Sequence, residues 1–362
     1  MALVVGLMSG TSLDGVDAAL VDFSQSTPRT LGTHWSAFPD EIRREALALQ
    51  APSENELHRA ARLANALAQC YAESVGKLLA ATGHRPEQVS AIGCHGQTVR
   101  HQPGQGYTIQ LNNPALLAEL AGIAVVADFR SRDIAAGGQG APLVPAFHAA
   151  AFSHPVEHRV VLNLGGIANL TDLNPGKPLR GFDCGPGNLL LDAWTERHLG
   201  HRYDKDGQWA SGGKPIARLL QTLLADRYFA EPPPKSCGRD EFNLAWLERH
   251  IAIDDQAQDV QASLLELTAS SVVEAIKRWC GSPQAVLVCG GGAYNTHLLK
   301  TLQQLMPLCP VETTHAHGLP PEQVEAAAFA WLARQALLRR PGNLPQVTGA
   351  HGPRVLGAIY PR

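Results

Sequence analysis

Apolar residues along this chain come in short runs that break at glycine, and the breaks repeat. Val4-Val5 leads into Gly6 and Gly10, and Ala18-Ala19-Leu20-Val21 resumes the apolar run. Arg159 to Leu164 leads into Gly165-Gly166 and resumes at Ile167-Ala168-Asn169-Leu170. β-Branched and aliphatic runs flanking glycines that tolerate positive φ predict strand–turn–strand in both places. A third run, Ala285 to Cys289, reaches Gly290-Gly291-Gly292, and a helix is predicted from about Asn295. The first two lie about half a chain apart, which points to a duplicated lobe with one phosphate-facing hairpin in each.

Between these breaks the pattern turns helical. Glu54 to Thr82 is rich in Ala and Leu and stops at Gly83, a C-cap residue. Pro114 opens a short helix that stops at Gly122, and Ile123 to Ala127 reads as a buried strand ending at Asp128. Leu265, Ala269, Val272 and Ile276 fall at helical spacing, so Gln258 to Trp279 is predicted as a long helix with one buried face. Pro320-Pro321 opens another helix through Glu325 to about Leu338. From Pro341 onward, Pro and Gly predict turns with one short strand, Val355 to Ile359.

Composition narrows the class. A chain of 362 residues suggests two lobes, and 45% hydrophobic against 17% charged residues supports a sizeable core rather than disorder. Net charge is −3 and no basic block stands out, so nucleic acid is not the expected partner. No run approaches the roughly 18 apolar residues of a membrane helix. No Lys or Arg precedes the first apolar run as a secretory signal would require, so a cytoplasmic protein is expected. The seven cysteines are scattered without a C-x-x-C pair, which indicates neither a disulfide framework nor a zinc site.

The glycine breaks fit no lysine-bearing phosphate loop. The nearest approach to a Walker sequence, Gly207 to Gly213-Lys214, has the wrong spacing and Pro215 in the hydroxyl position. Gly290 and Gly292 after a strand, with Glu312 further on, resemble a dinucleotide fingerprint, but Asn295 replaces the third glycine and too little chain follows. A tight turn through Gly10, Thr11, Ser12, Leu13, Asp14, Gly15 and Val16 exposes main-chain N–H groups beside hydroxyls, an anion nest that needs no lysine. Asp14 and Asp17 repel a bare phosphate but can hold hydrated Mg²⁺ beside it. Alone, such a hairpin reads more readily as a decorated β-turn. Gly165-Gly166 as a second nest, and Gly290, Gly291 and Gly292 ahead of Asn295 as a base-and-ribose seat, make nucleotide phosphate binding the better reading.

Gly6 to Asp17 resembles the signature of the anhydro-N-acetylmuramic acid kinase family. So do Gly93-Cys94-His95-Gly96-Gln97-Thr98, Ala127-Asp128-Phe129-Arg130, the run Gly137 to Pro145 and the run Gly181 to Asn188. Val288 to Gly292, Glu325 with Ala328-Phe329-Ala330, and Val347-Thr348-Gly349-Ala350 extend the match over nearly the whole chain. The resemblance implies an α/β, two-lobed actin/Hsp70/sugar-kinase (ASKHA) fold: ribonuclease H-like mixed sheets with ATP clamped between the lobes. Lobe I is then expected at 1–130 plus 339–362, and lobe II at 131–338. It also implies ATP and Mg²⁺ as cofactors, a homodimer, and a role in cell-wall recycling. The implied reaction converts 1,6-anhydro-N-acetylmuramic acid, water and ATP into N-acetylmuramic acid 6-phosphate.

That reaction hydrolyses an internal bridge at C1 and phosphorylates the O6 it releases. A glycosidase uses two carboxyl groups, but a departing O6 captured by the γ-phosphoryl group leaves work for one, as base for water. The resemblance assigns that role to Asp183; by spacing alone it reads equally as an Asx-turn aspartate before the helix near Asn188. Glu325 is a second carboxylate, either a substrate contact or a residue placed to suit a helix dipole. Gln97, Thr98 and Arg130 are expected substrate contacts, Arg130 through the planar fork that meets a lactyl carboxylate. The competing reading of Arg130 is a surface ion pair with Asp128 or Asp133. His95 reads as a core or turn histidine, and His315 and His317 lack a third ligand for a metal. Other classes are a conventional sugar kinase of the same fold, an Hsp70-type binding module, which would need a peptide domain beyond Arg362, and a dehydrogenase, which would need NAD.

Overall fold

A computed structural model describes residues 2–10, 13–25 and 27–362. Thr11 and Ser12 of the expected phosphate turn lie outside the described residues. The chain divides into two compact units, residues 1–151 with 323–362, and residues 152–322.

The first unit contains β1 (Leu3–Met8), β2 (Gly15–Asp22), β3 (Arg29–Ala37), β4 (Ile92–Cys94), β5 (Gln97–Gln102), β6 (Tyr107–Leu111) and β7 (Val125–Ala127). The second contains β8 (Arg159–Leu164), β9 (Ile167–Leu173), β10 (Arg180–Pro186), β11 (Ala285–Cys289) and β12 (Val311–Thr313), and β13 (Ala358–Tyr360) returns to the first. The sheets run β13-β7-β4-β1-β2-β3 and β10-β9-β8-β11-β12, with β5 and β6 as a separate hairpin. In each sheet the first three strands are an antiparallel meander, and the next two extend parallel from the first strand's other edge. Apart from β13, the two sheets share one strand order. The repeated glycine breaks of the sequence therefore mark equivalent turns, β1–β2 and β8–β9.

Both faces of the first sheet are covered, which is why β1 is apolar without strict alternation. Val5 and Leu7 enter a core with Leu67, Tyr71 and Leu78 of the helix Glu56–Thr82. The opposite face meets the helix Val324–Leu337, and the approach is close: a Cβ on Gly6 would stand 1.8 Å from the Ala326 carbonyl oxygen, and one on Gly93 2.0 Å from that of Phe329. This helix therefore belongs to the first unit, as does residue 131–151. The lobes were expected to divide at 130 and 338, and the compact units divide at 151 and 322, since the sheet that helix Val324–Leu337 packs on is set by contacts between residues distant in sequence.

In the second unit Val160, Leu162, Leu164 and Phe182 pack with the helix Ala257–Ala275. That helix is buried nearly all round rather than on one face, since helices Leu189–Leu199, Gln208–Ser211, Ala217–Leu224 and Thr296–Leu305 surround its other sides. Its last expected turn, Ile276–Cys280, is wound as a π-helix. The Pro114–Ala121 helix ends at Gly122 as expected, while the strand after it covers only Val125–Ala127. Among the described residues no helix is long and apolar enough to cross a membrane.

Candidate active site

The first unit gathers the described residues of the expected phosphate turn between β1 and β2. Leu13 and Val16 bury their side chains in the core, the Leu13 N–H donates to the Gly10 carbonyl at 3.3 Å, and Val16 pairs with Ser36 of β3. Gly15 sits inside β2, where a Cβ would stand 2.2 Å from the Ser36 carbonyl oxygen; strand packing alone demands glycine there. Asp14 is exposed beside the turn, and Asp17 stands opposite Met8 at the turn end of the hairpin. Gln323 Nε2 approaches Asp17 Oδ1 at 3.4 Å.

Gln97, at the start of β5, is fully buried and donates from Nε2 to the Gly10 carbonyl at 3.1 Å. Its Oε1 is buried with no donor among the described residues. A buried amide oxygen left unpaired is costly, so this oxygen is free to accept from a donor brought by water or a ligand. Thr98 follows, its hydroxyl accepting from Gln110 Nε2 at 3.1 Å.

Arg130 forms no ion pair with Asp128 or Asp133. It donates from Nε and Nη2 to His95 Nε2 at 3.1 and 2.9 Å, and from Nη1 to the Gly140 carbonyl at 2.8 Å. Gly140 is itself fixed, because its N–H donates to Asp133 Oδ2 at 2.8 Å while Asn343 and Thr348 donate to Oδ1 at 2.6 and 2.8 Å. Burial lowers the Arg130 pKa to about 10, partly offset by Glu325 and Asp133. Glu325, in the first turn of the helix Val324–Leu337, has its carboxyl pushed up by burial and pulled back by the Arg130 guanidinium. His95, set aside as a core histidine, is the residue that aims Arg130. The signal was its place in Gly93-Cys94-His95-Gly96-Gln97-Thr98, beside two expected contacts.

The second unit gathers the rest. At the β8–β9 turn a Cβ on Gly166 would meet nothing within 4 Å, and one on Gly165 would make only ordinary contacts at 3.5 Å and beyond. Glycine there leaves open room rather than relieving a clash. The turn is braced from behind: the Gly165 carbonyl accepts from Asn188 N–H at 2.8 Å, and that of Gly166 from Gly187 N–H at 2.9 Å. Gly291 is equally open, whereas Cβ atoms on Gly290 and Gly292 would stand 2.4 Å from Asn163 Oδ1 and 2.6 Å from Leu164 Cβ. Two of the three glycines thus answer to packing and the middle one to space. Asn295 caps the helix Thr296–Leu305, its Oδ1 accepting from Leu298 N–H at 3.0 Å.

Asp183 lies within β10, not in the turn after it. It sits at a bulge, paired with Asn169 while Gly185 pairs with Ala168. Phe182 and Cys184 on either side enter the core. The strand was hidden because Gly181, Gly185 and Gly187 read as turn residues; the bulge explains them in part. Asp183 Oδ2 accepts from Cys237 N–H at 3.1 Å, its N–H donates to the Lys235 carbonyl at 3.1 Å, and its carbonyl accepts from Tyr228 Oη at 2.8 Å. Burial raises its carboxyl to about 6, against the lowering effect of the Cys237 N–H and of Lys235. Tyr228, Lys235 and Cys237 carried no sequence signal toward the site.

Over residues 2–362 the chain matches the sequence profile of the family described as anhydro-N-acetylmuramic acid kinase. It is 56% identical over 361 residues to the anhydro-N-acetylmuramic acid kinase of Thiobacillus denitrificans, covering 99% of this chain and 96% of that one. Identity to the enzymes so named from Nitrosospira multiformis and Pseudomonas putida is 53% in each case, covering 99% and 100% of this chain and the same shares of theirs.

Proposed function

The chain belongs to the anhydro-N-acetylmuramic acid kinase family, and from that premise we propose how its own residues divide the work. The protein is an ATP-dependent phosphotransferase that converts 1,6-anhydro-N-acetylmuramic acid and water into N-acetylmuramic acid 6-phosphate. Asp183 is the general base. Ionised, it takes a proton from water as the water oxygen bonds to C1; the C1–O6 bond breaks, O6 takes the γ-phosphoryl group, and ADP leaves. The single observation that carries this assignment is the placement of the carboxylate, at the β10 bulge with Oδ2 held by the Cys237 N–H at 3.1 Å; burial there raises its carboxyl to about 6. That makes it a stronger base than a surface carboxylate, yet still ionised at neutral pH.

Arg130, aimed by His95, meets the lactyl carboxylate, and Gln97 Oε1, Thr98 and Glu325 receive the sugar's polar groups. The segment Gly10 to Asp17 and the turn Gly165-Gly166 receive the phosphates of ATP, with Gly290 to Gly292 and Asn295 toward its nucleoside. The open Cβ positions of Gly165, Gly166 and Gly291 fit such a ligand. Bound Mg²⁺ neutralises phosphate charge, and Asp14 and Asp17 are the side chains that would hold its water shell. The strand order common to both sheets supports the ribonuclease H-like, actin/Hsp70/sugar-kinase architecture. A cytoplasmic homodimer completes the reading; light scattering after size exclusion tests the dimer.

Turnover in heavy-oxygen water tests the chemistry. The label is expected at the C1 hydroxyl with one ADP per sugar opened. Label in the phosphate, or ADP formed without ring opening, overturns it.

A further inference from the structure

The segment 231–238 carries no regular secondary structure, yet it meets Asp183 at close quarters. All three kinds of polar group on Asp183 are engaged by this segment or by the helix Arg227–Ala230 just before it. What holds the segment down is Lys235. Its Nζ donates to the Tyr228 carbonyl at 2.9 Å and stands 4.4 Å from the Tyr228 ring centroid, a cation–π distance. Tyr228 in turn is buried against Phe229 and Phe242, which makes it a rigid seat.

We propose that Lys235 is a positioning residue for Asp183, docking segment 235–237 on Tyr228 so that the Cys237 N–H is aimed at the carboxylate and one positive charge is kept beside it. The proposal rests on the reading of Asp183 as the base. The Cys237 N–H at 3.1 Å fixes one carboxylate oxygen and so orients the group for water attack. The charge has a second effect, since a cation nearby favours the ionised carboxylate. The other titratable groups facing Asp183 stay neutral over the working range: burial pushes Cys237 up to about 12, and Cys184 and Tyr228 far above their ordinary values. Lys235 is therefore the one charge among the described neighbours that acts on Asp183 near neutrality.

The test is the pH dependence of kcat with both substrates saturating, in the full-length protein. Lys235→Met is expected to move the acidic limb upward by about one pH unit and to lower the plateau. Lys235→Arg should restore the limb, and Tyr228→Phe, which keeps the charge, should lower the plateau without moving it. A segment that serves only folding would lower the rate with the limb in place, and that result overturns the proposal. Where Lys235→Met does not fold, Lys235→Gln keeps a polar end without the charge and carries the same expectation. Asp183→Asn run alongside separates the two claims. If it retains activity, the base reading fails; if it is inactive and the Lys235→Met limb stays put, only the Lys235 proposal fails.

Discussion

Arg130 grips a single nitrogen of His95 from two of its own, Nε at 3.1 Å and Nη2 at 2.9 Å. A guanidinium cannot accept, so His95 Nε2 must, and the ring proton sits on Nδ1. Burial, and then Arg130 itself, push the His95 pKa down to about 3, which keeps the acceptor unprotonated at any working pH. The ring packs 4.7 Å from that of Phe329. His95→Phe should preserve that packing and lose only the grip. KM for the anhydro sugar is expected to rise about tenfold, worth about 1.4 kcal/mol, with a smaller change in kcat. An unchanged KM would mean that Gly140 alone aims the arginine.

If Arg130 reads the lactyl carboxylate, its value depends on that group being present. Arg130→Met should weaken the muramic substrate roughly 10- to 100-fold, the range for a hydrogen bond between charged partners. The penalty should vanish with 1,6-anhydro-N-acetylglucosamine, which lacks the lactyl ether. Equal losses on both sugars would move Arg130 from recognition to scaffold.

Helix Val324–Leu337 carries Glu325 and lies on the strand glycines. With a Cβ of Gly6 at 1.8 Å from a main-chain oxygen, neither partner can yield cheaply. Gly6→Ala should destabilise the first unit by about 3 kcal/mol. Gly76→Ala makes the contrast: that glycine lies inside the helix Glu56–Thr82 with nothing within 4 Å of a Cβ. There alanine should stabilise by about 0.5–1 kcal/mol. Urea unfolding of the two variants checks both signs.

Asp192 in the second unit offers a test of buried charge away from the proposed chemistry. Burial, and then Asp204 and Glu196 against Arg239, raise its carboxyl to about 7. The sign follows from linkage: a folded-state pKa above the unfolded value costs stability as pH rises from about 4 to about 7. Asp192→Asn removes that cost. Its stability relative to the parent should be near zero at pH 4 and reach about 1–3 kcal/mol above pH 7. A difference that does not change with pH would mean that Asp192 is ionised throughout.

How much of this was legible follows from how local each signal is. The β1–β2 and β8–β9 turns, the Gly83 and Gly122 caps and the helix start at Asn295 all rest on residues adjacent in sequence, and all are present. The strand β3 and the helix Asp40–Ala48 carry weaker signals: β3 lies at a sheet edge and buries no residue fully, and the helix has no side-chain cap. Lys235 lies 52 residues from Asp183, and only folding sets them together. His95 was in view but its partner was not, because a histidine's role depends on what faces it.

The strongest test falls on Asp183→Asn. Asparagine keeps the side-chain size and can still accept from the Cys237 N–H, so the bulge, the segment over it and ATP binding should survive. What it lacks is a basic oxygen pair. O6 is no nucleophile until its bond to C1 breaks, so phosphorylation cannot run ahead of water attack. Conversely, the bridge opens slowly unless the γ-phosphoryl group takes up the charge growing on O6. Loss of the base should therefore stop both halves together, by about 10²–10⁴-fold. In the parent enzyme the same dependence should appear as activity lost while pH falls through about 6, where the carboxyl protonates. ADP release and ring opening followed in one reaction decide the matter. Sugar-dependent ADP formation that persists in the variant would show Asp183 to be a strand residue of no chemical consequence, and ring opening without ATP would show the two halves to be separate.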